Sequence, residues 1–476
     1  MRFGSILGAP LVLALATTAR AETSATSGTP ATSGAPATSR APATSGAPAT
    51  SGAPATSADV RALADTVAAD HAAIVELRRE LDVERSRARD GVHFSGYAQV
   101  DWVAYDQASK DEIDHSTGLP INQNRFTLRR GHLRAEAQHG ILSGALEIDA
   151  NTTNGPQVRP LDAELSLRWP RDPDPALPSV VVTAGLMKIP FGFEVPELDS
   201  VRPFLERATV LRALFPGEFD LGARLRASYR MLDLTVAVMN GNPIGDRAFP
   251  ALAPASAKEI VGRLGTTAEL TPDVTLDVGV SADGGTGFHE GTPTTKDAVV
   301  WRDENGDGIV QATEIQVIPG SSATASQLFH RFAVGGDLRL SVRFAPFATF
   351  TLRSELVRAA NLDRGIHVAD PVGRGYDLRE LGWYVGATQE LTRWALVGVR
   401  YDRYDPDADA SEQRATNVVP ADQSFGTLAL LAVLRYDRAR LSAEYDRNWN
   451  TLGRDAAGNP TNLKSDTFTL RAQVTF

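Results

Sequence analysis

The sequence predicts an all-β fold: a transmembrane antiparallel barrel of about sixteen strands, preceded by a short α-helical coiled coil. Three observations carry this expectation. The hydrophobic period is two from Val92 to Phe476. Short turns and long polar loops alternate between the runs. After the N-terminus, no apolar run approaches the roughly 18 residues that a membrane helix needs.

Composition narrows the field first. The chain has 476 residues, 42% hydrophobic and 22% charged, a length that fits one large barrel. It contains no cysteine, which removes disulfide frameworks, thiolate metal sites and a lipid-anchored cysteine. A formal charge of −10 argues against nucleic acid as a partner. The sum does not bear on anion passage, which depends on local charge.

Residues 1–21 read as a signal peptide. Arg2 supplies the basic start, Ile6 to Ala16 the apolar stretch, and Ala19-Arg20-Ala21 the small-residue cleavage site. Residues 22–58 form a linker rich in Ala, Thr, Ser, Gly and Pro, with a hexad repeat at Ala31–Pro36, Ala43–Pro48 and Ala49–Pro54. It has no large apolar side chain to offset ordering entropy, so an extended spacer is expected.

Residues 59–90 change character. Val60, Val67, Ile74 and Leu81 recur every seven positions, with Leu63 and Leu77 between them. That is a coiled-coil seam, weakened where Asp70 and Glu84 take the other seam positions. It suits a homotrimer. A single amphipathic helix at a barrel mouth is the alternative. With export expected, this region would lie in the periplasm and residues 91–476 would form the barrel in the outer membrane.

The barrel strands follow from alternation. Val92, Phe94, Gly96, Ala98, Val100 and Trp102 oppose His93, Ser95, Tyr97, Gln99 and Asp101. Leu142, Leu146 and Ile148 oppose Ser143, Glu147 and Asp149, and Val274, Leu276, Val278 and Val280 oppose Asp273, Asp277 and Ser281. One face suits lipid and the other water. Short turns fall at 138–140, 230–232, 271–273, 343–347, 390–393 and 437–440. Long loops fall at 106–124, 189–218, 241–258, 284–327, 359–379 and 406–424. The turns would be periplasmic and the loops extracellular. The final run, Phe468, Leu470, Ala472, Val474 and Phe476, resembles the closing strand of outer-membrane barrels.

Three segments carry a family resemblance: Asn124–Glu136 (NRFTLRRGHLRAE), Gly185–Glu194 (GLMKIPFGFE) and Phe215–Leu225 (FPGEFDLGARL). In these the chain resembles the phosphate-selective porin O and P family. The resemblance implies a trimeric sixteen-stranded channel in which lumen Arg and Lys pass phosphate or related anions.

The residues themselves support a charged lumen. By parity Arg130, His132 and Arg134 face inward, as do Arg224, Arg226 and Arg230, because a lipid-facing arginine at mid-bilayer costs about 2–4 kcal/mol. Arg125 and Arg129 have the opposite parity unless a bulge corrects the register. The resemblance to porins, in which this long loop commonly folds into the barrel, implies the same for the loop 189–218, which carries Arg202, Arg207 and Arg212 among Glu194, Glu197, Asp199 and Glu206, with Lys188 at its entrance. A transverse field across a general pore is as compatible with these charges as an anion filter.

A calcium loop is the sharpest local motif. Residues 303–314 match D-x-[DN]-x-[DN]-G-x5-E. Asp303, Asn305 and Asp307 would give side-chain oxygens, Ile309 its carbonyl, Gln311 a direct or water-borne contact, and Glu314 two oxygens. No helical flanks or second copy accompany it, so its expected role is ordering a long loop.

No phosphate loop, H-E-x-x-H or G-x-S-x-G elbow occurs, and an enzyme is not expected. The expected function is passive diffusion of small hydrophilic solutes, with anions such as phosphate preferred. The alternative is a structural envelope protein that tethers the outer membrane through its linker and coiled coil.

Overall fold

The computed structural model describes residues 91–106, 124–153, 155–170, 177–245, 258–345, 348–414, 417–451, 453–454 and 460–476. The signal peptide, linker and coiled-coil expectations lie outside these residues.

Sixteen strands close one antiparallel barrel. In chain order the first nine are β1 (Gly91–Tyr105), β2 (Asn124–His139), β3 (Leu142–Asn151), β4 (Gln157–Trp169), β5 (Ser179–Lys188), β6 (Phe219–Tyr229), β7 (Leu232–Met239), β8 (Glu259–Thr271) and β9 (Val274–His289). A loop hairpin follows, β10 (Ala298–Trp301) with β11 (Ile315–Ile318). The barrel resumes with β12 (Gln327–Arg343), β13 (Thr349–Ala360), β14 (Leu381–Thr392) and β15 (Ala395–Asp405). A second hairpin pairs β16 (Ser411–Arg414) with β17 (Asn417–Pro420). Then come β18 (Phe425–Tyr436) and β19 (Ala439–Trp449), a small pair β20 (Gly453–Arg454) and β21 (Pro460–Thr461), and β22 (Thr467–Thr475).

Closure joins β1 to β22, from Tyr97 opposite Thr475 to Tyr105 opposite Thr467. The terminal residue extends the seam: Gly96 N–H donates to the Phe476 carbonyl at 3.1 Å, and Phe476 N–H donates to Gly96 at 3.0 Å. With every strand paired on both sides, no open edge is left.

The alternation becomes an inverted core. Phe94, Leu165, Val158 and Leu234 stand on the outer face, exposed. Gln99, Asp101, Glu147, Asp149, Asp283 and Asp402 point inward and are buried. Apolar outside and polar inside is the reverse of a soluble sandwich and fits a hydrocarbon surround. Aromatic side chains gather near both rims. Trp394 and Tyr436 stack at 5.7 Å at the short-turn end, and Trp102 meets Phe468 at 6.0 Å near the long loops. No helix among the described residues is long and apolar enough to cross a membrane.

Turn chemistry fixes register at the short end. Gly140, Arg230 and Asp437 each open a two-residue turn with positive φ (61°, 54° and 51°), the twist that hairpin turns require.

Two bulges change which residues face the lumen. Gln99 pairs with Arg130 but Val100 pairs with Leu128, so Arg129 is the extra residue. Above it the parity of β2 reverses, and Arg125 lies opposite Val103 on the inward row. On β4 the extra residue is Leu161, between Pro160 opposite Ile148 and Asp162 opposite Glu147. Arg159 and Asp162 therefore share the inner face despite their odd and even numbers.

Candidate functional site

The loop 189–218 folds into the barrel and is held there from many sides. Its first residues meet β9 and β13: Gly192 N–H donates to Ser281 at 3.0 Å, and Phe193 and Glu194 N–H donate to Glu355 at 3.2 and 2.8 Å. Gly192 has φ 63°, and a Cβ there would run into the Glu355 carboxylate. Tyr384 adds its hydroxyl to Glu355 at 2.9 Å. Further along, Arg353 binds Glu197 at 2.7 Å and Arg440 donates to the Arg202 carbonyl at 2.8 Å. Leu205 N–H donates to Glu444 at 3.0 Å.

Apolar packing completes the anchorage. The loop's Ile189, Phe191, Val195, Val210, Leu211, Leu214 and Phe215 are buried against inward Ala237, Met239, Val261, Ala333, Val357, Tyr384 and Tyr404. The helix Thr209–Leu214 buries all but Arg212 in this contact. The lumen along β7–β9 and β12–β15 is thus filled by the loop. Small inward residues on those strands, Ala237, Ala333 and Ala359, leave the room it takes.

Phe204 extends the packing to Leu396, Ala429, Leu431 and Val433, and open space remains beside the loop. A cavity of about 990 Å³ runs from His289 and Asp370 at the long-loop end down to Arg129, Arg130 and Asp199. Below it Arg134 and Arg224 remain 23% exposed and Arg226 60% exposed, so lumen space continues toward the short turns.

Charges in this space are paired. Glu206, on the loop, receives Arg129 at 2.9 Å, Arg130 at 3.1 Å and Arg471 at 2.9 Å. Arg130 also meets Asp199 at 3.1 Å. His132 bridges Glu147 at 2.5 Å and Asp149 at 3.4 Å. Arg134 binds Glu147 at 3.0 Å and Asp162 at 2.5 Å. Arg224 binds Glu164 at 3.1 Å, and Arg226 binds Asp233 at 2.8 Å. The fixed charges therefore form short-range dipoles across the passage, a field suited to polar solutes rather than a bare ladder of cations.

The expected pore-lining residues divide accordingly. Arg130, His132, Arg134, Arg224 and Arg226 are on the inner wall, and Lys188 ends β5 bound to Glu218 at 2.9 Å. Arg212 is exposed in the cavity, with one N–H on Thr209 at 3.1 Å. Arg207 is buried, donating to the Phe215 carbonyl at 2.8 Å and pairing with Glu218 at 3.0 Å. Two placements correct the expectation. Arg202 is 2% exposed and closes an internal pair with Asp199 at 2.7 Å, because it falls on the face of the loop turned into the fold. Arg230 sits in the β6–β7 turn, its guanidinium 5.2 Å from the Tyr229 ring, because the strand ends one residue earlier.

Arg159 and Asp162 were missed from the sequence, Arg129 was left open between the two faces, and Arg471, inward by parity, was not singled out as a site residue. Arg471 donates to Asp101 at 2.7 and 2.8 Å and to the Leu205 carbonyl at 2.8 Å. Its inward parity on β22 was the available signal.

The 303–314 segment lies between β10 and β11. Asp303 accepts from Gly306 and Gly308 N–H at 2.7 Å and from Asp307 N–H at 3.1 Å. Asn305 accepts from Asp307 N–H at 2.9 Å, and Gln311 donates to Asp307 at 2.7 Å. Ile309 N–H donates to Asp307 at 2.7 Å. Glu314 is turned to the Trp301 indole N–H at 3.1 Å. Among the described residues no group of three or more His, Cys, Asp or Glu side chains is arranged to hold a metal ion. The oxygen donor set is chemically right for calcium, but Glu314 would have to swing toward Asp303.

A closed sixteen-stranded barrel with one long loop folded inside is the architecture of porin-type outer-membrane proteins. One solved structure supports the fold. No protein-family model and no curated protein matches the chain. The chain is similar to OprB of Pseudomonas putida at 10% identity, covering 81% of this chain and 94% of that one with a TM-score of 0.53. It is also similar to the outer membrane channel DcaP of Acinetobacter baumannii (11% identity, 81% and 97% covered, TM-score 0.48). OmpT of Vibrio cholerae in its trimer form aligns at 10% identity, 81% and 99% covered, TM-score 0.46.

Proposed function

We propose that this protein is an outer-membrane porin for passive diffusion of small hydrophilic solutes. The observation that carries the reading is the partly filled lumen: the inward loop packs against the wall and leaves a charged cavity between itself, β2–β4 and the long-loop ends of β9 and β12.

Within this reading anions, phosphate among them, are the preferred solutes. Arg125, Arg129, Arg130 and Arg134 all face the lumen once the bulge is counted. The carboxylates beside them keep that preference small. Planar-bilayer reconstitution of the full chain tests both parts. Discrete conductance steps are expected, with a reversal potential of anionic sign in a salt gradient. Absence of steps from folded protein would overturn the channel, and a cationic sign would overturn the preference.

The same reading puts the short turns and residues 22–90 in the periplasm and the assembly as a homotrimer. A tethering role for residues 22–90 is the second reading: their deletion would weaken envelope attachment and leave conductance unchanged. For the 303–314 loop we keep calcium as a structural ligand held by Asp303, Asn305, Asp307, Ile309, Gln311 and Glu314. Terbium luminescence sensitised by Trp301 reads occupancy there; no sensitised emission at millimolar terbium would refute it.

A further inference from the structure

The cavity beside the folded-in loop combines charge with apolar surface. Its long-loop end is shaped by residues 361–370, between β13 and β14, which fold onto the helix Thr209–Leu214. Arg364 and Gly365 N–H both donate to the Ala213 carbonyl at 2.9 Å, and a Cβ at Gly365 would run into the Arg212 carbonyl. The Asp363 carboxylate accepts from Gly365, Ile366 and His367 N–H at 2.9, 2.9 and 3.0 Å. Asp370 meets His289 of β9 at 2.7 Å. The turn is thus fixed at both ends, and its Val368 lines the cavity while 62% exposed.

An aromatic ring joins the same end. Phe329 of β12 lies opposite Gly287 of β9, two residues before His289. It shares parity with Arg331, which points inward to Glu259. A Cβ at Gly287 would collide with the Phe329 ring, so the glycine leaves the bed on which the ring lies. Phe329 is half-buried and lines the cavity.

Two arginines in this space are less compensated than Arg129 and Arg130, which share Glu206. Arg212 is exposed, donates to Thr209 at 3.1 Å and makes no ion pair among the described residues. Asp402 and Asp446 act on it only from a longer distance. Arg159 reaches Asp149 only at 3.6 Å, and its buried Nε has no hydrogen-bond partner among the described residues. Beside Arg159, Leu161 and Ile244 line the cavity as part of an apolar cluster with Leu186 and Phe219. Each of the two arginines therefore has apolar surface close by.

A small inorganic anion would meet the arginines and leave the ring and the aliphatic side chains in water. An uncharged aromatic solute would leave the guanidinium groups unanswered. A carboxylate carried on an aromatic ring satisfies both, through charge-assisted hydrogen bonds and apolar contact. We propose that this cavity binds aromatic monocarboxylates, of which benzoate is the simplest, in preference to inorganic anions. The carboxylate meets Arg212 while the ring lies against Phe329 and Val368. Arg159, with Leu161 and Ile244, offers a second such contact. The inference rests on the channel reading and names its solute class.

Two readouts on the full chain separate the solute from the channel. In planar bilayers, benzoate added on the long-loop side should interrupt the chloride current at about tenfold lower concentration than acetate or inorganic phosphate. Benzyl alcohol should not interrupt it. In detergent, the fluorine NMR line of 4-fluorobenzoate should broaden with folded protein and sharpen when excess benzoate, but not acetate, is added. Arg212→Gln is expected to weaken benzoate about tenfold, as loss of a charge-assisted contact implies. Phe329→Ser should weaken benzoate several-fold and acetate less. Heat-modifiable migration in gels confirms that each variant is folded. Equal potency of benzoate and acetate, or benzoate binding untouched by both substitutions, would overturn the proposal. Chloride current with no benzoate effect in either readout keeps the channel and removes the site. Fluorobenzoate binding that depends on Phe329, without any chloride current, keeps the site and removes the channel.

Discussion

Glu206, in the loop folded into the barrel, accepts a hydrogen bond at 2.9 Å from Arg471, which lies 265 residues later on the strand that closes the barrel. Arg129 and Arg130 of β2 converge on the same carboxylate. One acid therefore ties the loop to both sides of the β1–β22 seam and neutralises much of the basic wall. Glu206→Gln should free positive charge into the passage. Reversal potentials are expected to move toward anions while the step size changes little. A shift toward cations would show that these arginines do not face permeant ions.

Glu355 is the second anchor, and its loss acts differently. Replacement by alanine removes the acceptor for two loop amides and the Tyr384 hydroxyl. Leaving buried donors unpaired costs on the order of 3 kcal/mol. Glu355→Ala should loosen residues 192–194, seen as faster amide exchange there and noisier open-channel current.

The two anchors also mark what the sequence carried. Strand existence and inward polarity could be read from residues such as Glu147 and Asp149, whereas the inward fold of 189–218 followed only from the resemblance to porins. Arg125 and Arg129 could not be placed, because a bulge depends on which partner residue pairs with which. Leu161 hid the inward turn of Arg159 in the same way. The mixed charge of 189–218 was legible, but which carboxylate meets which arginine was not. Arg130 and Arg134 are visible as cations in one segment, while their partners Asp199, Glu206 and Asp162 arrive from a distant loop and another strand. Only the register shows that the pairs cancel.

The mouth of the barrel should respond to pH. Glu380, just before β14, accepts from Leu362 and Asp363 N–H at 2.8 and 3.0 Å. Burial pushes its carboxyl up to about 7, against the pull of those amides, and the Asp363 carboxylate adds to the rise. A raised acid binds its proton more tightly folded than unfolded. Its contribution to stability is therefore full below about 4.5 and lost as pH rises through about 7. Residues 361–380 should loosen between about pH 4.5 and 7, measured as amide exchange at Leu362 and Asp363 corrected for intrinsic rate. Glu380→Gln should flatten that dependence.

Closure of the barrel rests on a missing side chain. A Cβ at Gly96 would run into the His132 backbone carbonyl on β2 and lie 2.6 Å from the Phe476 ring. Gly96→Val should displace the terminal residue from its two backbone bonds and lower the temperature at which the folded form is lost in gel-shift assays. Ala98→Val, one pair further along the same outward row, serves as the matched control and should shift it less.

The most direct test of the passage uses the absence of cysteine from the chain. Arg224→Cys places one thiol on the inner wall below the cavity, and Leu225→Cys places one on the outer wall. Single channels of each are recorded before and after a charged methanethiosulfonate reagent. A stepwise fall in conductance for Arg224→Cys, with none for Leu225→Cys, is the predicted result. Conductance unchanged after complete labelling at position 224 would mean that ions do not travel between the folded-in loop and the β2–β6 wall.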